Sequence, residues 1–365
     1  MSEARINRIS NELGTGGPVV SGITTFSGLN YFVPPSGTTA QRPQNCPSGS
    51  IRFNTDSAHL EYFDGLQWLE FEAFNNELGV SGALGNRGLF DGAGTANNII
   101  DYITISTLGN ALDFGDLSVP RQYPAACSSS TRAVFGGGYG GSGNTSLIDF
   151  VTIASTGNAA TFGNLTQSRS TTSACSSATR GLWGGGRNPT AVNTIDYITI
   201  ASTGNAVSFG SLTSATFVSN GGCSSSTRGI FSLGAPSGSI DYITIATTGN
   251  SINFGNLSVS RSVAACSNAT RALFGGGYIT NIIDFVTIAS TGNAVDFGDL
   301  TQGRFEPGAC ASSIRAVWGG GYIVPSVNTI DFVTIATTGN ATDFGDRTTT
   351  SARGNGSCSN GHGGL

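Results

Sequence analysis

Lysine is missing from this 365-residue sequence: all 17 basic residues are arginine, and charged residues of either sign amount to only 11%. Glu and Ala runs are equally scarce, so there is little helix-forming material. The net charge of −5 and the lack of any basic cluster exclude nucleic acid as a main partner, because such binding needs a row of cations along the phosphates. No apolar run approaches the roughly 18 residues of a membrane span, so no membrane insertion is expected. The opening "MSEARINRIS" has no apolar stretch of the kind that directs secretion. Only two histidines occur, His59 and His362, and neither lies in a recognisable catalytic motif. The glycine runs follow strands and open no helix, so they do not read as phosphate cradles. The expectation is a protein that is not an enzyme and carries no cofactor, with no catalytic, metal or cofactor residue to nominate and its ligand-binding residues unknown. The seven cysteines include no C-x-x-C pair, which argues against zinc.

What the chain has in abundance is glycine, 54 residues of it, set between short β-branched and aromatic runs. That mixture predicts an all-β protein with many turns. The stretch "IDFVTIASTGNAVDFGDL" (283–300) recurs in near-copies, and its Asp falls at 101, 149, 196, 241, 284 and 331. A period in the forties with β-type text predicts propeller blades. The second unit parses into strands at 121–129, 132–138, 147–153 and 158–163. "SST" and "STGN" supply the turns, with Gly157, Gly204, Gly249, Gly292 and Gly339 at the second type. In "NAVDFG", Val295 and Phe297 are expected to share one face, with Asp296 on the other. Cys127, Cys175, Cys223, Cys266, Cys310 and Cys358 occur once per unit after small residues and read as buried thiols, unpaired with one another. The recurring aspartates read as structural acceptors, for a neighbouring backbone or the Arg of "TRAVF" (Arg132). A calcium site per unit is the alternative.

The first unit has no opening strand before "RGLFDGA" (87–93), and "ARGNGSCSNG" (352–361) is such a strand with nothing after it. The two ends of the array are therefore expected to share one sheet, which leaves no unpaired inner edge. The pattern of an opening Arg, a second strand ending in glycines, an apolar strand and an outer aromatic strand is similar to the kelch repeat. The Arg is present as Arg121, Arg169, Arg261, Arg304 and Arg353, while unit four has Thr216 or Phe217 there. The glycines are Gly136–Gly138, Gly184–Gly186, Gly275–Gly277 and Gly319–Gly321, decaying to "FSLGA" at 231–235. The outer aromatic is Phe at 114, 162, 209, 254, 297 and 344, where kelch units carry Trp. The resemblance implies a six-bladed kelch-like β-propeller over 76–365, closed by the C-terminal strand.

The first seventy residues read differently. Residues 34–49 form a Pro/Gly-rich linker, and 50–72 a small β module with strands "SIRFN", "HLEYF" and "QWLEF". Arg42, Pro43, Pro47, Gly49, Ile51, Arg52, Phe53, Asn54, Asp56, Leu60, Glu61, Tyr62, Asp64, Gly65 and Trp68 compose a motif that resembles a module of tailed-bacteriophage structural proteins, those of marine and cyanobacterial phages above all. The segment 1–33 likewise resembles the N-terminus of tail and fibre proteins and implies virion attachment. These resemblances imply a virion structural protein, assembled in the host cytoplasm, oligomeric in the particle, and bound to other virion proteins through its N-terminal region. Its propeller would then be a fibre or appendage head that contacts the host surface, with a glycan or other receptor as the candidate contact. A purely architectural role in capsid decoration, neck or baseplate is the alternative, and a cellular kelch-type scaffold a third. The stretches 139–146, 187–193, 235–239, 278–281 and 322–328 vary most and all join second to third strands, so they belong to one side of the array.

Overall fold

Each "ID" stretch becomes the third main strand of an antiparallel sheet, four-stranded except at Asp196, where the two-residue strand Arg187–Asn188 adds a fifth, and the β-branched residues pack on both faces of a strand covered on both sides. The computed structural model describes residues 34–57, 59–70, 86–91, 97–217, 221–323, 326–349 and 356–365. The chain divides into two compact units, Met1–Leu78 and Gly79–Leu365.

In the larger unit the strands Ala125–Ser128, Arg132–Gly136, Leu147–Thr152 and Ala160–Asn164 make one sheet in sequence order. Equivalent sheets begin at Ser173, Gly222, Ala264 and Gly308. Arg87–Asp91, Ile99–Thr104 and Leu112–Asp116 make another, and Ser357–Ser359 is its first strand, with Cys358 opposite Leu89. The stretch 352–361 thus pairs where its text places it, its residues 352–355 lying outside the described ones.

The core lies between neighbouring sheets. One cluster joins Val134, Ile148 and Phe162 of one sheet to Trp183, Ile198 and Ile200 of the next. Fully burying a side chain of this size is worth roughly 1.5–3 kcal/mol. Polar contacts repeat the relation. Arg132 lies 4.8 Å over the Phe150 ring and donates to the carbonyls of Ile200 (3.1 Å) and Ala201 (2.8 Å) in the following sheet. At the outer edge Gly157 N–H donates to Phe114 O (2.7 Å), and Asn158 Oδ1 accepts from Asp116 N–H (3.0 Å). The same bonds link the last sheet to the first: Arg315 donates to Ile105 O and Ser106 O, Gly109 N–H to Phe344 O, and Asp346 N–H to Asn110 Oδ1.

The outer strands depart from simple alternation. Val295 is exposed and Phe297 buried, although Val295 pairs with Phe285 and the Phe285 and Phe297 rings meet edge-on at 5.8 Å on one face of the sheet. The ladder shifts register between Ile283 and Asp284, and the bulge turns Phe297 inward. Gly298 follows at φ 147°, a conformation an L side chain avoids.

The smaller unit is a four-stranded sheet of Ser36–Gly37, Ile51–Asn54, His59–Phe63 and Trp68–Glu70. The segment expected as linker contributes its edge: Ser36 pairs in parallel with Phe53, and a 3₁₀ turn covers Thr39–Gln41. The reason is a buried carboxylate. Glu61 is fully buried in so thin a module and needs cations, which Arg52 (2.8 Å) and Arg42 (2.6 Å) supply, the latter from the supposed linker. Burial alone would raise the Glu61 pKa, but the bonds from Arg42 and Asn54 carry it below the usual carboxylate value.

Candidate functional site

The larger unit has two ends that differ in chemistry, set by strand direction. Second strands end in the glycine runs and the variable loops; first strands end in the Ser/Thr turns. The two groups of connections lie at opposite ends of each sheet.

At the loop end the connections entering each first strand are pinned from beneath. Asp149 accepts from Arg121 Nη1 (2.8 Å) and from Ser118 Oγ (2.8 Å), both in the connection that leads into its own sheet. The pairs Arg169–Asp196, Arg261–Asp284 and Arg304–Asp331 repeat this at 2.8–3.0 Å, with every aspartate side chain fully buried. The cation on the recurring aspartate is therefore the opening Arg, and Arg132 and its equivalents are spent between sheets. At Asp101 the partner is Arg347 (3.1 Å); Arg353 lies outside the described residues. A calcium ion does not fit a carboxylate already filled by guanidinium and hydroxyl groups. Among the described residues no group of three or more His, Cys, Asp or Glu could hold a metal.

Unit four explains itself. Thr216 replaces the Arg; Asp241 keeps the bonds from Thr213 N–H (2.8 Å) and Thr213 Oγ1 (2.9 Å), the equivalents of those from Ser118, and gains one from Ser251 Oγ (2.6 Å). The position of Ser251 is Ala in the other units: 111, 159, 206, 294 and 341. The lost cation and the gained hydroxyl belong together, since a buried acceptor must be satisfied.

Above these pins the loops carry side chains unusual for a soluble surface. Tyr278 and Ile279 are 74% and 75% exposed, Phe217 57% and Tyr139 46%. Tyr278 meets Phe305 of the next sheet edge-on, with centroids 6.2 Å apart. Tyr139 and Tyr322 each take the place after a glycine run and bridge to the connection beside it, Tyr139 to Gln122 and Tyr322 to Phe305. Four non-glycine residues here hold positive φ: Tyr123 (58°), Thr171 (52°), Glu306 (54°) and Ile279 (60°). Such backbone costs roughly 1–3 kcal/mol per residue, most for a β-branched one, and persists only where its surroundings enforce it. Sequence reading located the loops but missed this strain, for none of the four residues is a turn former.

Among the described residues one carboxylate at this end lacks a hydrogen-bond partner. Asp91 stands where the other units have Gly136, Gly184, Ser232, Gly275 or Gly319, fully buried, with no hydrogen bond to either carboxylate oxygen. Burial pushes its pKa up to about 8, against the pull of Arg347 and Arg121.

The opposite end is stoppered. The first strands surround a cavity of about 40 Å³, room for a few waters, lined by Cys127, Ser128, Cys175, Ser176 and their equivalents. The thiols turn away toward the neighbouring sheet; a Cβ on Gly181 would fall 2.7 Å from Cys127 Sγ, and one on Gly229 2.7 Å from Cys175 Sγ. All seven cysteines are free, and burial drives the six repeat thiols well above their ordinary pKa, to about 12 for Cys223 and Cys358. Residues 360–365 lie across the mouth. Of the two histidines, His362 is here, with Nε2 2.9 Å from Ser128 O, while His59 Nδ1 is 3.4 Å from Glu70 in the smaller unit.

Comparison of the chain with family models and with curated proteins finds no match.

Proposed function

We propose that the repeat array is a six-bladed β-propeller closed by Ser357–Ser359, and that it is the host-contacting head of a tailed-phage virion structural protein. The observation that carries the reading is the grouping of the exposed aromatic side chains Tyr139, Phe217 and Tyr278, with Ile279 beside them, at the variable-loop end. Beneath them four buried Arg–Asp pairs pin the loop bases, so the tips are pre-organised for contact. Flat tyrosine rings among Thr, Asn and Gln side chains, with few charges, suit the faces of sugar rings in a surface polysaccharide. The module at 34–70, with its phage-like motif, supplies attachment to other virion proteins. The test is binding of the purified full chain to host cells and to their envelope polysaccharide, with Tyr139→Ser/Tyr278→Ser as control. Binding that the double variant loses supports the reading; absence of binding in both assays overturns it.

A second reading is architectural. Leu112 (58%), Val207 (51%), Ile252 (60%) and Val295 (59%) form an exposed apolar row on the outer strands, a surface suited to packing against other virion proteins. It gains if the chain ignores host material and deleting the propeller leaves adsorption unchanged.

A further inference from the structure

The inner rim of the array carries a ladder in which each serine hydroxyl donates to the carbonyl of the preceding first strand. Ser176 Oγ donates to Ser128 O (2.8 Å), Ser224 Oγ to Ser176 O (2.6 Å) and Ser267 Oγ to Ser224 O (2.7 Å). Ser359 Oγ donates to Ala311 O, and Ser128 Oγ to Ser359 O (2.8 Å). The one missing hydroxyl is at Ala311, which leaves Ser267 O without its rung. Gly363 N–H fills that place at 2.8 Å. The tail is therefore registered on the rim by a gap in the ladder.

Its other anchor is His362, and both ring nitrogens are committed. Nε2 faces Ser128 O at 2.9 Å and Ser176 Oγ at 3.2 Å, while Nδ1 accepts from Gly364 N–H at 3.0 Å. A carbonyl on one side and an N–H on the other fix the neutral tautomer with its proton on Nε2. Protonation at Nδ1 would set N–H against N–H and place a cation where, among the described residues, no carboxylate is bonded to it. Among the described residues, the titratable groups that share its cavity are Cys127, Cys175, Cys223, Cys266, Cys310 and Cys358, whose thiols turn toward the neighbouring sheets and are kept uncharged by burial. The cation beyond the tail, Arg180, is spent on Ile245 O (2.9 Å) and Ala246 O (2.8 Å).

We propose that residues 360–365 are a proton-released stopper: neutral His362 holds the tail across the axial mouth, and protonation ejects it while Ser357–Ser359 stays in its sheet. Burial lowers the His362 pKa below its ordinary value, in keeping with a docked state that excludes the proton. The released tail binds the proton better than the docked one, so release grows as pH falls.

The test is hydrogen exchange of the full chain between pH 7.5 and 4.5, each rate divided by the intrinsic rate at that pH. The tail peptide is expected to lose protection progressively as the pH falls through this range, while peptides of the first strands hold theirs. His362→Gln, which cannot titrate here, should show no such pH response, and His362→Ala should be unprotected throughout. Constant tail protection in the native chain, the same response in His362→Gln, or equal loosening of the sheets would each overturn the proposal.

Discussion

Gly363 donates its backbone N–H to Ser267 O, the carbonyl that Ala311 leaves without a serine. The tail has no room for a side chain at this point: a Cβ on Gly363 would overlap the carbonyl oxygens of Asn268 and Ser224. Gly363→Ala should undock residues 360–365 and leave Ser267 O without that donor, at a cost of about 1 kcal/mol. Thermal unfolding should shift by only a few degrees, while the tail amides lose their exchange protection. Unchanged protection would contradict the docking geometry.

The buried ion pairs allow a sharper test, because the chain contains its own control. Arg169→Thr strands Asp196 in the core, and removing one partner of such a pair costs about 3–5 kcal/mol. Unit four replaces the cation with Thr216 and Ser251. Arg169→Thr/Ala206→Ser should therefore recover a large part of the loss, whereas Ala206→Ser alone should not stabilise. Denaturant midpoints of the three variants measure it, and additivity of the two changes would rule out the compensation.

These pairs also mark how far the sequence could be read. The recurrence of the aspartates fixed the strand period, and the orphan text at 352–361 located the strand that joins Arg87–Asp91. The partner of each aspartate was misread: the text pointed to a neighbouring backbone or Arg132, whereas the structure uses Arg121. Arg121 and Arg132 are eleven residues apart, and only the inward turn of the connection at Arg121 puts one of them on Asp149. Arg347 escaped notice because it sits six residues before the expected position and follows an outer strand instead of opening an inner one. The bulge at Phe297 was hidden for a different reason: alternation presumes one residue per rung, and the register shift breaks that count. The tail's role could not be read from "GHGGL", since it depends on an alanine fifty residues earlier.

Asp91 makes stability depend on pH in a definite direction. Its folded pKa, about 8, lies above the unfolded value, so the folded state binds the proton more tightly. Its cost is absent at low pH, grows as pH rises from about 4 to about 8, and is constant above that. Asp91→Asn removes the ionisation at nearly constant volume. The variant should gain on the order of a few kcal/mol at pH 8 relative to pH 4, read as the difference between the two proteins' denaturant midpoints across that range. A parallel pH dependence in both would exclude Asp91 as its source.

Ile279 separates stability from function. With φ at 60° its backbone suits glycine, so Ile279→Gly should stabilise the chain by about 1 kcal/mol. The same change removes an exposed side chain from the loop end and should weaken binding to host polysaccharide. A variant that is more stable and binds less well is the expected pairing; a destabilised variant with undiminished binding would contradict both parts.

The account rests on closure of the array through the first sheet, and native-state hydrogen exchange reads that closure directly. The amides of Leu89 and Cys358 face one another across the joint formed by Arg87–Asp91 and Ser357–Ser359. They should exchange only by global unfolding, with the same free energy as Val134 in the middle of an uninterrupted sheet. Exchange of Cys358 at the rate of an unstructured peptide, with Val134 still protected, would show that the ring is open.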